Sequence, residues 1–234
     1  MTRIIKGVFD FQKNVHGTRE QLFKNLGSGQ KPLALFITCS DSRISPDMLT
    51  QTQPGELFIM RNAGNIVSPY SWDHASGEAA TLEYAVKQLK VREVIICGHA
   101  KCGAIHGLLN MDKLDALPEV KRWLQFSEPV LAALKRDTEG MSQEEILAIG
   151  IERNVLQQLE NVKSYPFVRE AVDRGELRLH AWVYHFETGT VLAHDQTKKR
   201  FVSLSDATKP KFNATKEEIE SYIKSHQGGM DLTI

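Results

Sequence analysis

Apolar runs of strand length recur along the chain at residues 33–38, 56–60, 93–97 and 177–184. The runs at 33–38 and 93–97 are apolar almost throughout and do not alternate, as expected of strands covered on both faces of a parallel sheet. Between them the period changes. Leu82, Ala85, Val86 and Leu89 lie at i, i+3, i+4 and i+7, one apolar face of a helix over 74–89. Further helices are expected over 17–27, after Ser45 as N-cap with Pro46 first, from about 102, over 119–135 and over 142–160. The last of these opens on the capping-box pair Ser142 and Glu145. A short helix after Ser164 carries Pro166 early and Gly175 past its end, and Thr215 with Glu218 would cap a final one. The turn Glu187-Thr188-Gly189 leads into residues 190–193, read as an antiparallel edge strand. This alternation predicts an α/β fold. Its mainly parallel central sheet has about four parallel strands plus an antiparallel edge strand, is flanked by helices, and follows an N-terminal helical arm. One domain is expected, with the arm at 1–30, the core at 31–200 and a C-terminal extension at 201–234.

Composition narrows what such a domain does. Lysine plus arginine equals aspartate plus glutamate at 29 each, so neither nucleic acid nor an anionic membrane is an expected partner. No run approaches the roughly 20 apolar residues of a membrane span. Residues 1–7 lack an apolar signal core, which points to the cytoplasm. Three cysteines, Cys39, Cys97 and Cys102, are too few and odd in number for a disulfide framework; metal binding or catalysis suits them better.

The candidate chemistry falls just after two of the predicted strands. The first delivers Cys39, Asp41 and Arg43, and the third delivers His99 and Cys102. In open α/β sheets, ligand sites lie beyond the carboxyl ends of the strands. Two thiolates and an imidazole are a zinc donor set that leaves a fourth tetrahedral position, for water in a catalytic site or for Asp41 in a closed one. Two thiolates cancel the charge of the ion, so it acidifies water less than a three-imidazole site would. A carboxylate such as Asp41, kept ionised by Arg43, could then orient the nucleophile. Cys97, inside an apolar strand, reads as a core thiol.

At these residues the sequence resembles the β-class carbonic anhydrases. The segments are Cys39-Ser40-Asp41-Ser42-Arg43, Pro54-Gly55-Glu56, Arg61-Asn62-Ala63-Gly64-Asn65, Glu83-Tyr84-Ala85 and Gly98-His99-Ala100-Lys101-Cys102-Gly103, in the family's order over roughly residues 1–195. The resemblance implies reversible hydration of carbon dioxide to bicarbonate, with one zinc ion per chain on Cys39, His99 and Cys102 and Asp41 with Arg43 as the catalytic dyad. It also implies a substrate cleft of Gln30, Phe58, Ala63, Tyr84 and the Gly103 N–H. That cleft would lie at the interface of a homodimer or of a tetramer or larger assembly. A regulatory bicarbonate pocket in some bacterial members uses a tryptophan, an arginine and a tyrosine. Here Arg61 and Tyr184 match, but Phe36 stands at the tryptophan position and lacks the indole N–H. With Gln30 present, an open site with water on the metal is expected. The alternatives are hydrolysis of carbonyl sulfide or carbon disulfide, a non-catalytic zinc scaffold and a thiol redox protein. The first segments are similar to cyanobacterial members, so a carboxysome-like shell is a second candidate location.

Overall fold

The protein is described by a computed structural model covering residues 1–204, apart from 72 and 74. The helix expected at Thr215 and most of the C-terminal extension lie outside the described residues. The chain divides into two compact units, Met1–Lys31 and a core that begins at Pro32.

In the first unit, α1 (Thr2–Asp10) passes through a π-helical stretch, Phe11–His16, and a tight turn, Gly17–Arg19, into α2 (Glu20–Leu26). Within the helical arm expected at 1–30, a helix is marked only over 17–27; the structure starts it at Thr2. The signal was nonetheless present: Ile4, Val8, Phe11 and Val15 recur at helical spacing.

The core is built on a mixed sheet of β1 (Ala34–Cys39), β2 (Leu57–Asn62), β3 (Glu93–His99), β4 (Arg178–His185), β5 (Thr190–Asp195) and β6 (Arg200–Ser203), in the order β2-β1-β3-β4-β5-β6. The first four strands are parallel, and β5 and β6 add antiparallel pairs. The sequence reading anticipated β5 but not β6. Arg200–Ser203 alternates too briefly to stand out, and its pairing with β5 defines it. β1 and β3 are buried almost end to end, which explains why their sequences do not alternate.

One face of the sheet, with Leu35, Ile37, Val94, Ile96, Ala181 and Val183, packs on α8 (Gln143–Ser164) and α9 (Pro166–Asp173) through Val155, Leu159, Val162, Val168 and Ala171. On the other face Phe36 and Ile95 form a smaller cluster with Ile44 and Trp182. α8 starts on the capping box that Ser142 and Glu145 announce. The remaining helices are α3 (Pro46–Thr50), α4 (Gly77–Glu83), α5 (Gly103–Leu109), α6 (Pro118–Leu124) and α7 (Glu128–Asp137). Two expectations shift here. The helix expected from residue 74 starts at Gly77, where the Ser76 side chain accepts from the Ala79 N–H. The single helix expected over 119–135 is two, α6 and α7, separated by a tight turn at Gln125–Ser127. Pro129 explains the break: it has no N–H to give to the preceding turn, so a new helix starts there.

Candidate metal centre

β1 and β3 are neighbours with Thr38 opposite Cys97, so their carboxyl ends stop side by side. Cys39 is the last residue of β1, His99 the last of β3, and Cys102 the N-cap of α5. About sixty residues separate Cys39 from His99 in the chain. One ligand atom from each of Cys39, His99 and Cys102 lies within 4.8 Å of the other two. Two sulfurs bound at about 2.3 Å to one tetrahedral ion sit roughly 3.8 Å apart. Here Cys39 Sγ and Cys102 Sγ are separated by 4.0 Å, right for a shared ion and far too long for a disulfide.

His99 completes the fit. Its Nδ1 lies 2.9 Å from the Ala100 carbonyl oxygen, which can only accept, so the ring proton belongs on Nδ1 and the Nε2 lone pair is free. The side chain is fully buried, and Nε2 has no hydrogen-bond partner among the described residues. The nearest carboxylate oxygen, Asp41 Oδ2, is 3.8 Å away, beyond hydrogen-bond reach. A buried imidazole nitrogen left bare beside two thiols fits a bound cation, and the donor set is that of zinc.

The surroundings are tuned for charge. The Cys102 thiol pointing at Cys39 holds the Cys39 group well below the ordinary thiol range, aided by His99 and the Gly64 N–H at 3.4 Å. Cys102 moves the opposite way, raised by its contact with Cys39 and by burial. Two sulfurs this close share one proton, and a cation would displace it. Asp41 is gripped by Arg43: Nε donates to Oδ1 at 2.9 Å, Nη2 to Oδ2 at 2.7 Å and the Arg43 N–H to Oδ1 at 3.0 Å. The guanidinium hydrogen bond is the main reason the carboxyl is held below the usual carboxylate range. Arg61 braces the same loop, donating to the Cys39 carbonyl at 3.0 Å and the Asp41 carbonyl at 2.8 Å. Burial alone pushes the Cys97 thiol up to about 12, in keeping with a core residue.

The five residues expected to carry the chemistry therefore converge. Gly103 follows Cys102 as the first residue of α5. Phe58 and Tyr84 pair with each other, ring centroids 6.0 Å apart, and no described contact joins them to the metal cluster within one chain. Ala63 is exposed, and its carbonyl accepts from Trp123 Nε1 at 2.8 Å. Gln30 is exposed and belongs to the other unit.

Sequence reasoning missed the support behind the cluster. On α8, Asn154 Nδ2 donates to the Gly64 carbonyl at 3.0 Å, while its Oδ1 accepts from Ser127 Oγ and Gln158 Nε2, each at 2.9 Å. Gln158 Oε1 in turn accepts from the Val67 N–H at 3.0 Å. This buried network fixes the loop that aims the Gly64 N–H at Cys39. Two glycines are required by geometry. Gly64 turns at φ +82, and a Cβ on Gly98 would come within 2.7 Å of Val155 Cγ2, so α8 could not pack where it does. Asn154, Gln158 and Asn161, spaced four and three apart on a helix, carry no local sign of burial; the packing of α8 shows them buried.

Comparison with known proteins points one way. The family described as "Carbonic anhydrase" matches residues 34–191. The chain is 44% identical over 206 residues to a carbonic anhydrase of Pseudomonas aeruginosa, covering 88% of this chain and 93% of that one. It is 38% identical over 221 residues to a carbonic anhydrase of Synechocystis, covering 94% and 79% respectively. Among solved structures it is similar to the β-carbonic anhydrase CcaA, with a TM-score of 0.84 at 39% identity over 87% of this chain and 98% of that one. It is also similar to a structure from a study of two tetrameric β-carbonic anhydrases of Sordaria macrospora, with a TM-score of 0.68 at 27% identity over 87% and 93%.

Proposed function

Since the chain belongs to the carbonic anhydrase family, we propose that Cys39, His99 and Cys102 hold its zinc ion and that Asp41 and Arg43 run the chemistry beside it. The protein is a zinc-dependent lyase that interconverts carbon dioxide and bicarbonate. The bare His99 Nε2 at the end of β3, facing the Cys39 thiol at the end of β1 and the Cys102 thiol at the N-cap of α5, is the observation that carries the ligand assignment. Bound zinc supplies Lewis acidity, which makes water a competent nucleophile near neutral pH.

The remaining work belongs to the chain. Both carboxylate oxygens of Asp41 are engaged by Arg43, so Asp41 stays ionised and accepts a hydrogen bond from the attacking water. That hydrogen bond leaves an oxygen lone pair directed at the carbon of carbon dioxide. The bidentate grip of Arg43 favours the ionised carboxylate, so the proton released in each turnover passes to solvent buffer or to a histidine. The Gly103 N–H and the Gln30 amide take the roles that family resemblance implies, donating to the oxygen that gains charge. Phe58, Ala63 and Tyr84 serve as the apolar wall. Tyr84 is 37% exposed, consistent with a surface that a second copy completes in a homodimer or larger assembly. The grip of Arg43 on Asp41 favours an open site over one that Asp41 closes as fourth ligand. The cytoplasm, or a carboxysome-like shell, would be its setting.

Asp41→Asn tests the reading. Metal analysis should find zinc retained, while stopped-flow hydration should show turnover reduced about a hundredfold or more. Full turnover in that variant would remove Asp41 from the mechanism.

A further inference from the structure

The Asp41–Arg43 pair raises a problem of order. The Arg43 side chain is 46% exposed, and an exposed ion pair on a flexible stem is weakly held. Two further contacts meet the guanidinium, each from a different part of the chain. Arg43 Nη2 donates to the Lys101 carbonyl at 3.1 Å, on the loop after β3. Arg43 Cζ lies 4.5 Å from the ring centroid of Phe186, at the turn between β4 and β5. This is within the range where a guanidinium is drawn to an aromatic face.

Phe186 is itself held in place. Its ring sits 6.5 Å from Tyr184 at an interplanar angle of 69° and 6.3 Å from the His99 ring. The turn carrying it is closed by the Thr188 and Gly189 N–H groups, which donate to the His185 carbonyl at 3.2 and 2.9 Å. Gly189 takes φ +72, a conformation suited to glycine. Glu187 ties the turn to the loop after β3 through an ion pair with Lys101, and the Ala100 N–H donates to the Tyr184 carbonyl at 2.8 Å. The aromatic ring is thus a fixed platform, with the guanidinium laid against it and its N–H edge directed at Asp41.

We infer that Phe186 is a positioning residue for the reaction: its ring face orients the Arg43 guanidinium and, through it, the Asp41 carboxylate. The inference rests on the role given to the Asp41–Arg43 pair. Nothing in the sequence marks Phe186, which reads as an apolar residue at a strand end.

Phe186→Leu keeps apolar bulk and removes the aromatic face; Phe186→Met does the same with a different shape. Phe186→Tyr keeps the face. The leucine and methionine variants should retain zinc and melting temperature but lose kcat on the order of fivefold, with KM little changed. The tyrosine variant should match the parent. Nitrogen-15 relaxation of the Arg43 Nε–H should show a looser side chain in the leucine variant and a parent-like one in the tyrosine variant. In an Arg43→Ala background, Phe186→Leu should cost nothing further, because the two act through one contact. Parent-like kcat and Arg43 order in both the leucine and methionine variants would overturn the inference, as would losses that simply add to those of Arg43→Ala. The two readings fail separately. Arg43→Ala with full turnover sinks the dyad and this inference together, whereas a damaging Arg43→Ala beside a silent Phe186→Leu sinks the platform alone.

Discussion

The two ends of the central sheet carry similar side chains put to different uses. At the amino ends of β3 and β4, Glu93 meets Arg178 and His180; at the carboxyl ends, Asp41 meets Arg43 beside His99. Each group has one carboxylate, one guanidinium and one imidazole. At the amino end they satisfy each other. His180 Nε2 lies 2.6 Å from Glu93 Oε2, and Arg178 donates to both carboxylate oxygens. At the carboxyl end His99 Nε2 is left over, facing two sulfurs in a buried space. A buried polar atom without a partner costs about 1–3 kcal/mol, so its persistence points to something it is there to hold. A cluster that closes on itself supports the fold, and one with unmet valence is a site.

The largest expected effect is at the open cluster. His99→Ala removes the imidazole from the donor set, so metal analysis should find zinc content near zero and hydration at background. Glu93→Gln probes the closed cluster, and its effect should fall on stability alone. Burial would raise the Glu93 carboxyl, but hydrogen bonds from His180 and Arg178 prevail and leave it below the ordinary glutamate value. A carboxyl depressed on folding stabilises above its unfolded pKa, and that stabilisation is lost as pH falls through the folded value. The variant should therefore melt a few degrees lower at pH 7, and the deficit should shrink as pH drops below about 4. Its turnover at pH 7 should equal that of the parent; a large loss would mean the two ends are coupled. Cys97→Ala should have the smallest effect. Zinc and kcat should be unchanged, and thermal unfolding should show a loss of about 1 kcal/mol from the missing sulfur.

Much of this was legible in the sequence for physical reasons. Continuous apolar runs announced β1 and β3 because a doubly covered strand has no polar face, and the residues at their ends announced the donor set. What stayed hidden depends on distant contacts. β6 is defined by its pairing with β5; the α6–α7 break, by contrast, is local, at a single proline that the helical period runs across. Asn154 and Gln158 look like a solvated helix face until α8 is seen packed on the loop at Gly64. Phe186 has no local signature, because its significance lies in a guanidinium 143 positions earlier in the chain.

The burial of all three donors has a kinetic side. Cys39, His99 and Cys102 are 5%, 0% and 1% exposed, so the donor side chains themselves are walled in by the fold, whatever reaches the open fourth position. An ion held by these three donors would be freed most readily when the ends of β1 and β3 part, so its exchange rate would report on opening in the middle of the sheet. An ion on Cys39, His99 and Cys102 would in turn latch those two strands together, so a centre built for turnover would also act as a clasp on the scaffold that made it.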